Sequence, residues 1–170
     1  QGSAVRYLND RKRNPHDYLP PVLFLQGDMT IHPLFSQDDP YMPILTGREK
    51  ASTKYLAEFE GLNKFDAISC QFAMHYACES EETFRAFASN LKDHGKNLFF
   101  GCCLDGQAVY SLLVGKRTHL FGKDREICGE FTKQYEDTES WTNEFGLGVR
   151  VYLESFDKPA LEYLVPFEKV

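Results

Sequence analysis

The sequence predicts an α/β protein with a mainly parallel sheet and antiparallel strands towards its C-terminus. Two observations carry this prediction. Apolar segments of strand length alternate with helical patterns through the first two-thirds of the chain, as they do in parallel sheets built from strand–helix–strand units. From about Thr118 onwards the segments alternate apolar and polar residues, which is typical of antiparallel strands.

The first third of the chain predicts two helices around one strand. Residues 4–13, AVRYLNDRKR, predict a short basic helix, and Asn14-Pro15 ends it because a residue before proline disfavours helical geometry. Residues 21–27, PVLFLQG, predict a buried strand, and Asp28 follows its end directly. Residues 49–59 then suit a short helix.

The middle of the chain predicts two further buried strands joined by a helix. Residues 65–71 and 97–102 are the strands, and residues 80–92 form the helix between them. Ser80 can cap this helix, whose apolar positions share one face. These positions are Phe84, Phe87, Ala88 and Leu91. A second short helix, AVYSLL at residues 108–113, follows.

The last third of the chain predicts antiparallel strands. EICGEF and GVRVYL each alternate in polarity, and ALEYLV forms a final segment after Pro159. The 170 residues are enough for one hydrophobic core, so we expect a single domain over residues 1–170.

Composition and charge exclude several classes of protein. Apolar residues make up 42% and aromatic residues 14% of the chain, which indicates a folded protein rather than a disordered one. The net charge of −6 argues against binding long nucleic acid through overall charge, although it leaves room for a local basic patch. No apolar run approaches the ~20 residues of a membrane span, and no signal peptide is visible. We therefore expect no membrane partner.

The cysteines predict neither a disulfide framework nor a metal centre. The chain has 5 cysteines, an odd number, and none of them forms a CxxC pair. We interpret them as reduced core thiols in a cytosol-like compartment and expect no metal site.

Polar residues cluster where the predicted parallel strands end. Asp28, residues 71–76 and Asp105 each follow a predicted strand. Ligands of open α/β sheets bind beyond the carboxyl ends of the strands, so this arrangement predicts a binding crevice.

Three segments carry a resemblance to a known family. FDAISCQFAMHYA, the helix SEETFRAFASNL and KNLFFGCCLDGQAVYSLL resemble the mRNA cap guanine-N7 methyltransferases, in which a QF-xx-HY motif follows a hydrophobic strand. FGLGVRVYLESFDKPALEYLV is similar to the segment that forms the family's cap pocket. The resemblance implies a Rossmann-like class I S-adenosylmethionine-dependent methyltransferase fold, with residues 118–170 as cap-pocket strands and an insertion.

The resemblance implies three residues that bind the cofactor S-adenosylmethionine. Asp28 matches the acid that binds the adenine, Gln71 the amide that contacts the methionine part, and Tyr76 the tyrosine that closes on the cofactor. Each has an ordinary structural alternative. Asp28 could be a loop acid or a helix cap, Gln71 a strand-end amide bonded to nearby backbone, and Tyr76 a half-buried core tyrosine.

The resemblance also implies three residues that bind the cap. His75 matches a histidine that contacts the cap guanine, Glu162 a glutamate that recognises the guanine edge, and Arg6 a basic residue that touches the cap phosphates. A carboxylate that accepts from N1–H and the 2-amino group selects guanine, because adenine offers neither donor there. The alternatives are a histidine bonded to backbone, a solvated glutamate on an edge strand, and a solvated helix charge. A solvated face is also the favoured interpretation of Arg11 to Arg13.

The implied reaction needs no acid–base residue. Guanine N7 already carries a free lone pair, so the protein has only to align N7, the methyl carbon and sulfur, which contributes up to roughly 7–11 kcal/mol in favourable systems. We therefore expect positioning residues and no chemical catalyst. The resemblance further implies capped RNA as partner, and triphosphatase and guanylyltransferase domains in the same polypeptide. It also implies a cytoplasmic location for a viral protein, in a viral factory or virion, and a nuclear one for a cellular protein.

The sequence departs from the family's pattern at several points. The glycine-rich cofactor loop, the ribose-binding acid and a late aromatic residue of the guanine pocket do not occur, and the G-T-x-P motif is replaced by residues 101–104, GCCL. We therefore expect a partial domain, incomplete at both ends and weak or inactive alone. Two other functions stay open, a non-catalytic cap-binding or scaffold module and an S-adenosylmethionine methyltransferase acting on a small molecule.

Overall fold

The computed structural model describes residues 3–17, 19–36, 38–123, 126–136, 141–154 and 157–170. Its contacts divide the chain into two compact units. The first unit comprises Gln1–Asp28 and Phe35–Asn63, and the second comprises Met29–Leu34 and Lys64–Val170. That residues 1–170 act as one domain stays a prediction. None of the described helices combines the length and apolar character that a bilayer crossing requires.

The described residues of the first unit form three helices: α1 (Ser3–Arg13), α2 (Met42–Leu45) and α3 (Lys54–Ala57). The predicted N-terminal helix is thus confirmed as α1. The predicted helix over 49–59 is reduced to α3, because Thr53 accepts a hydrogen bond from the Leu56 N–H and so caps a later start.

The strand predicted over residues 21–27 is wrong. These residues form neither strand nor helix. The N–H and C=O of Val22 bond instead to the hydroxyl of Tyr55, at 3.0 and 2.5 Å. An apolar run indicates burial, but a strand also needs a neighbouring backbone to complete its ladder.

The second unit begins with a parallel pair of strands joined by a helix. β1 (Phe65–Gln71) leads into a 3₁₀ helix (Met74–Glu79), which is followed by α4 (Glu81–His94) and β2 (Gly95–Cys102). The two strands pair in parallel from Ala67↔Leu98 to Gln71↔Cys102. This strand–helix–strand unit confirms the predicted α/β class.

Helix α4 begins where the sequence predicted. The Ser80 hydroxyl accepts from the Thr83 N–H, and the Thr83 hydroxyl accepts from the Ser80 N–H, which completes a capping box. Phe87 lies in the core, but Ala88 is exposed and Asn90 is buried in its place. The Asn90 Nδ2 donates to the carbonyl oxygen of Ile31 at 2.7 Å, which satisfies the amide nitrogen, while its Oδ1 has no hydrogen-bond partner among the described residues.

The remaining elements are one helix and an antiparallel sheet. α5 (Gly106–Leu113) precedes β3 (Thr118–Lys123), β4 (Glu126–Lys133), β5 (Gly148–Leu153) and β6 (Ala160–Tyr163). The four strands lie in the order β3-β4-β5-β6, with neighbours antiparallel. This arrangement confirms the predicted antiparallel C-terminal strands.

Two hydrophobic clusters hold the second unit together. In the first, α5 packs on one face of the antiparallel sheet through Leu113, Phe131, Val149 and Val151, among others. In the second, α4 and the 3₁₀ helix pack around Ala77, Phe87 and Val165. Full burial of such a side chain contributes about 1.5–3 kcal/mol.

The prediction that the two parallel strands are buried is wrong. Leu98, Phe99 and Phe100 of β2 are 55%, 41% and 48% exposed, and Phe65 of β1 is 40% exposed. A parallel sheet is buried when layers cover both of its faces. Within the described residues, β1 and β2 pair only with each other, so their apolar side chains are incompletely covered.

Candidate functional site

The chain leaves β1 through a sharp turn at Phe72. This residue has φ = 48°, in the left-handed region, and its N–H donates to the Cys102 carbonyl oxygen at 2.8 Å. A bulky residue adopts this conformation at a cost, and such strain is concentrated at functional sites. The turn starts the 3₁₀ helix, in which consecutive side chains point about 120° apart. His75 is therefore buried while Tyr76 is exposed.

His75 is a buried histidine whose ring forms no hydrogen bond within the described part of the chain. It is 3% exposed, and neither ring nitrogen has a hydrogen-bond partner among the described residues. Its ring contacts Tyr76 edge-on, with centroids 4.1 Å apart. Burial lowers the pKa of His75, which favours the neutral imidazole with one donor and one acceptor nitrogen. The alternative of a histidine bonded to backbone is thus excluded for the described part of the chain.

Glu162 is a buried carboxylate on the edge strand β6. It is 8% exposed and pairs with Val149, so its side chain lies on the same sheet face as the core. Its Oε2 lies 3.6 Å from Nδ1 of His75, just beyond hydrogen-bonding distance. Burial raises the pKa of the Glu162 carboxyl. The alternative of a solvated edge-strand glutamate is therefore excluded.

Glu162 and Tyr76 line a cavity of about 830 Å³, which we call the aromatic cavity. Its walls are mainly apolar. The other lining residues are Phe72, Leu104, Phe121, Phe131, Val151, Leu153, Asp157, Lys158 and Ala160. A large apolar cavity with few polar groups is the usual form of a small-molecule site. This cavity suits a flat heterocycle whose edge carries hydrogen-bond donors for Glu162.

Gln71 lies at the end of β1 and does not line the aromatic cavity. Its Nε2 donates to the Ser69 hydroxyl at 2.9 Å, and its Oε1 accepts from the Cys102 thiol at 2.9 Å. These partners are side chains, so the alternative of an amide bonded to nearby backbone does not hold. The exposed amide at the carboxyl end of a parallel pair fits the polar amino-acid part of a cofactor.

Asp28 and Arg6 belong to the first unit, and both are exposed. Arg6 lies on α1, whose last turn carries Arg11 to Arg13. The sites that sequence reasoning assigns to Asp28 and Arg6 stay predictions. Asp105, which follows β2, caps α5 by accepting from the Ala108 N–H at 3.0 Å. The crevice predicted beyond three parallel strands therefore lacks its first strand, and Asp105, the last of its three polar positions, has a local structural role.

Sequence reasoning missed the walls of the aromatic cavity. Phe131 and Val151 occupy alternate positions of predicted strands. The alternation indicates that they share a sheet face, but it does not indicate that this face lines a cavity. The only sequence signal that pointed to Phe72 as a site residue was its position next to Gln71 in the QF pair. Nothing in the sequence singled out Lys158. Among the described residues, no group of three or more His, Cys, Asp or Glu could hold a metal ion.

Comparisons with known proteins show the family to which the chain belongs. Residues 4–170 match the family model described as the mRNA (guanine-N(7))-methyltransferase domain. A "Probable mRNA-capping enzyme" of Acanthamoeba polyphaga mimivirus is 29% identical over 94% of this chain and 14% of its own length. An mRNA cap guanine-N(7) methyltransferase of Schizosaccharomyces pombe is 33% identical over 62% of this chain and 29% of its own length.

A second yeast protein of the same name, from Debaryomyces hansenii, is 31% identical over 64% of this chain and 22% of its own length. The chain thus spans less than a third of the length of each of these relatives. The family model covers nearly the whole chain, and the motif residues around His75 and Glu162 lie within it. The chain therefore belongs to the mRNA (guanine-N(7))-methyltransferase domain family.

Proposed function

We propose that this chain is the cap-binding and part of the cofactor-binding region of an enzyme that methylates N7 of the GpppN cap guanine. The observation that carries the proposal is the buried pair of His75 and Glu162. Neither ring nitrogen of His75 has a hydrogen-bond partner among the described residues, and the Glu162 Oε2 approaches the His75 Nδ1 only to 3.6 Å. Buried polar groups are ordinarily satisfied. A ligand with complementary donors and acceptors would complete this pair.

Guanine has the matching pattern. The two oxygens of Glu162 can accept from N1–H and the 2-amino group, and the neutral imidazole of His75 can donate one N–H to the base. Adenine lacks both of the donors that Glu162 requires. The ring of the base would lie against the apolar walls of the aromatic cavity, where Phe121 and Phe131 stand with centroids 4.8 Å apart.

The proposed methyl donor is S-adenosylmethionine. When bound, it supplies an electrophilic methyl group on a positively charged sulfur. Gln71 would hold the methionine part with its amide, Tyr76 would close over the cofactor from the rim of the aromatic cavity, and Asp28 would accept from the adenine amino group. Tyr76 is 43% exposed, so it is available for such a contact rather than buried in the core.

The reaction requires orientation more than chemistry from the protein. N7 of the guanine attacks with its own lone pair, the bond between methyl carbon and sulfur breaks, and no proton has to be removed. We therefore assign no catalytic residue. Glu162 and His75 fix the plane of the guanine, so that N7 meets the methyl group in line, and this alignment contributes up to roughly 7–11 kcal/mol.

The proposed partners follow from the same family. Residues 1–170 would act as one methyltransferase domain, with the strands of residues 118–170 forming the cap pocket and Arg6 contacting the cap phosphates. The mimivirus relative is far longer than this chain, which supports triphosphatase and guanylyltransferase domains in the same polypeptide. We place the enzyme in the cytoplasm of an infected cell if it is viral, and in the nucleus if it is cellular.

Methyl transfer to capped substrates tests the proposal. The full-length protein is incubated with labelled S-adenosylmethionine and either GpppA or GpppG-capped RNA, and the product is digested and identified by chromatography. We expect label at guanine N7 only. Glu162→Ala and His75→Ala should each abolish most of the transfer, whereas the exposed Glu126→Ala should not.

Two results would redirect the assignment. Transfer that is unaffected by Glu162→Ala would show that the guanine site lies elsewhere, and a small-molecule substrate would then be the better hypothesis. A well-folded protein that binds GpppA but transfers no methyl group would instead support a cap-binding module.

A further inference from the structure

The antiparallel sheet has two chemically different faces. Phe131, Val149 and Val151 point inwards and are at most 8% exposed. Successive side chains of a strand point to opposite faces, so Thr132, Arg150 and Tyr152 point outwards. The inner face packs on α5 and borders the aromatic cavity. The proposed cap and cofactor contacts leave the outer face unused.

A polar groove of about 390 Å³ lies on this outer face. We call it the outer groove, and it is lined by Arg117, Glu130, Thr132, Gln134, Arg150, Tyr152 and Pro159. Cross-strand pairing builds it, because Thr132 stands opposite Arg150 and Glu130 stands opposite Tyr152. The groove thus combines two arginines with one exposed aromatic ring.

Both arginines of the outer groove are available to an anion. Arg117 and Arg150 are exposed, and among the described residues no carboxylate lies within ion-pair distance of either guanidinium. The one carboxylate that lines the groove belongs to Glu130, which accepts a hydrogen bond from the Thr132 hydroxyl at 2.5 Å. The planar guanidinium is the side chain best suited to bind phosphate in two-point fashion.

Tyr152 supplies a surface for a base. It is 37% exposed and lies on the same outward row as Arg150, two positions along β5. Single-stranded nucleic acid is bound by this combination, in which cations contact the backbone and aromatic rings stack on bases.

Residues 157–160 line both the outer groove and the aromatic cavity. Asp157, Lys158 and Ala160 line the aromatic cavity, while Pro159 lines the outer groove. Lys158 is exposed, and its ammonium has no ion-pair partner in the described part of the chain. A polymeric ligand that leaves the aromatic cavity past Lys158 therefore reaches the outer groove around this edge of the sheet.

We propose that the outer groove binds the RNA nucleotides that follow the cap, with Arg117 and Arg150 on the phosphates and Tyr152 stacked on a base. This inference rests on the proposed function, because it extends the substrate from the cap to the RNA body. Lys158 guides the strand from the aromatic cavity to the groove. The local cations explain how a chain with a net charge of −6 holds a polyanion.

RNA fits this groove better than a protein segment does. The lining is polar and positively charged, whereas the centre of a protein interface is depleted of charged residues. Phosphates complement both arginines, and the Glu130 carboxylate can accept from an exocyclic amine or a ribose hydroxyl. The face therefore has the chemistry of an RNA path that does not depend strongly on sequence.

The experiment compares a substrate that reaches the groove with one that does not. Arg117→Gln/Arg150→Gln is prepared in the full-length protein beside the control Arg85→Gln/Lys92→Gln, which removes two exposed cations from α4. Methylation is measured on GpppA and on capped RNA of about 20 nucleotides, which exceeds the roughly 4–16 nucleotides that one binding fold covers. Filter binding of the same RNA without a cap is measured in parallel.

We expect the groove variant to raise KM for capped RNA about tenfold and to leave GpppA unchanged. The slope of log affinity against log salt should become shallower by about 1.4, since each single-strand phosphate contact contributes about 0.7. The control should change neither the KM for capped RNA nor the salt dependence of RNA binding. Tyr152→Ala should weaken RNA binding about tenfold, through lost stacking rather than lost charge, and so leave the salt slope unaltered.

Three outcomes would overturn the inference. They are unchanged RNA affinity in the groove variant, an equal loss of GpppA methylation, and the same loss in the α4 control. Unchanged affinity would leave a protein as the occupant of the groove. If the wild-type protein methylates no cap at all, the proposed function fails, and the uncapped RNA still reports whether the groove binds RNA.

Discussion

Replacing the buried Glu162 by glutamine should make the free protein more stable and cap binding weaker. The carboxylate is 8% exposed and has no hydrogen bond to a described residue beyond its approach to His75 at 3.6 Å. Burial raises its pKa, which means that the fold disfavours the charged form. Glutamine has nearly the same shape and no charge, so it removes this cost.

The binding loss follows from the acceptors that guanine requires. The side-chain oxygen of glutamine can still accept one hydrogen bond from guanine. Its NH₂ group is a donor and would face the second donor of the base, so the second hydrogen bond is lost. Losing one hydrogen bond to a charged group costs about 1.5–3 kcal/mol, or roughly 10- to 150-fold in affinity. The preference for GpppA over ApppA should fall by the same factor, because Glu162 is the residue that distinguishes the bases.

The stability gain has a defined pH dependence. The ordinary pKa of a glutamate is 4.5, and that of Glu162 is raised in the folded state. The folded protein therefore binds the proton more tightly, and Glu162 destabilises it increasingly as pH rises from 4.5 through the raised pKa. Glu162→Gln should gain most above that pKa and nothing below pH 4.5. Each 1 kcal/mol gained should raise Tm by about 2–4 °C.

Thermal unfolding across pH measures the gain in stability, and titration with GpppA and ApppA measures the loss of binding and of base discrimination. The exposed Glu126→Gln is the control. A variant that is less stable at neutral pH would mean that the carboxylate is satisfied in the free protein. Unchanged discrimination between GpppA and ApppA would refute the guanine assignment. Either result would contradict the inference that the buried Glu162 carboxylate is completed by guanine.

Three further substitutions test local features of the second unit. Burial lowers the pKa of His75, so the unfolded chain takes up the proton first, and the free energy of unfolding falls as pH drops from the ordinary 6.5 through the lowered pKa. His75→Gln should flatten this fall, as measured by urea unfolding across that range. Ser80→Ala removes the N-terminal cap of α4 and should lower the free energy of unfolding by about 1 kcal/mol, whereas the exposed Ser52→Ala should have no such effect. Phe72 has a left-handed backbone conformation and is 62% exposed. Phe72→Gly should relieve the backbone strain and stabilise the protein by about 1 kcal/mol, while weakening GpppA binding. A less stable variant would show that packing of the ring outweighs the strain.

Local sequence signals determined the elements whose stability is local. The Ser80 cap and the spacing of Phe84, Phe87 and Leu91 predict α4, because a helix is closed by hydrogen bonds between near neighbours. Alternation of polarity predicts β4 and β5 for a different reason, since strand geometry places every second side chain on one face. The motif residues around His75 led to the family without any knowledge of the fold.

Only the tertiary structure decided which of these segments pair, and what becomes buried. The apolar run at 21–27 looks like β1 in sequence, yet Tyr55 takes its backbone hydrogen bonds and no ladder forms. His75 and Glu162 come from elements far apart in the chain, and nothing local to either predicts an approach of 3.6 Å. Their shifted pKa values and the walls of the aromatic cavity arise from this packing, because desolvation depends on all surrounding atoms rather than on neighbours in sequence.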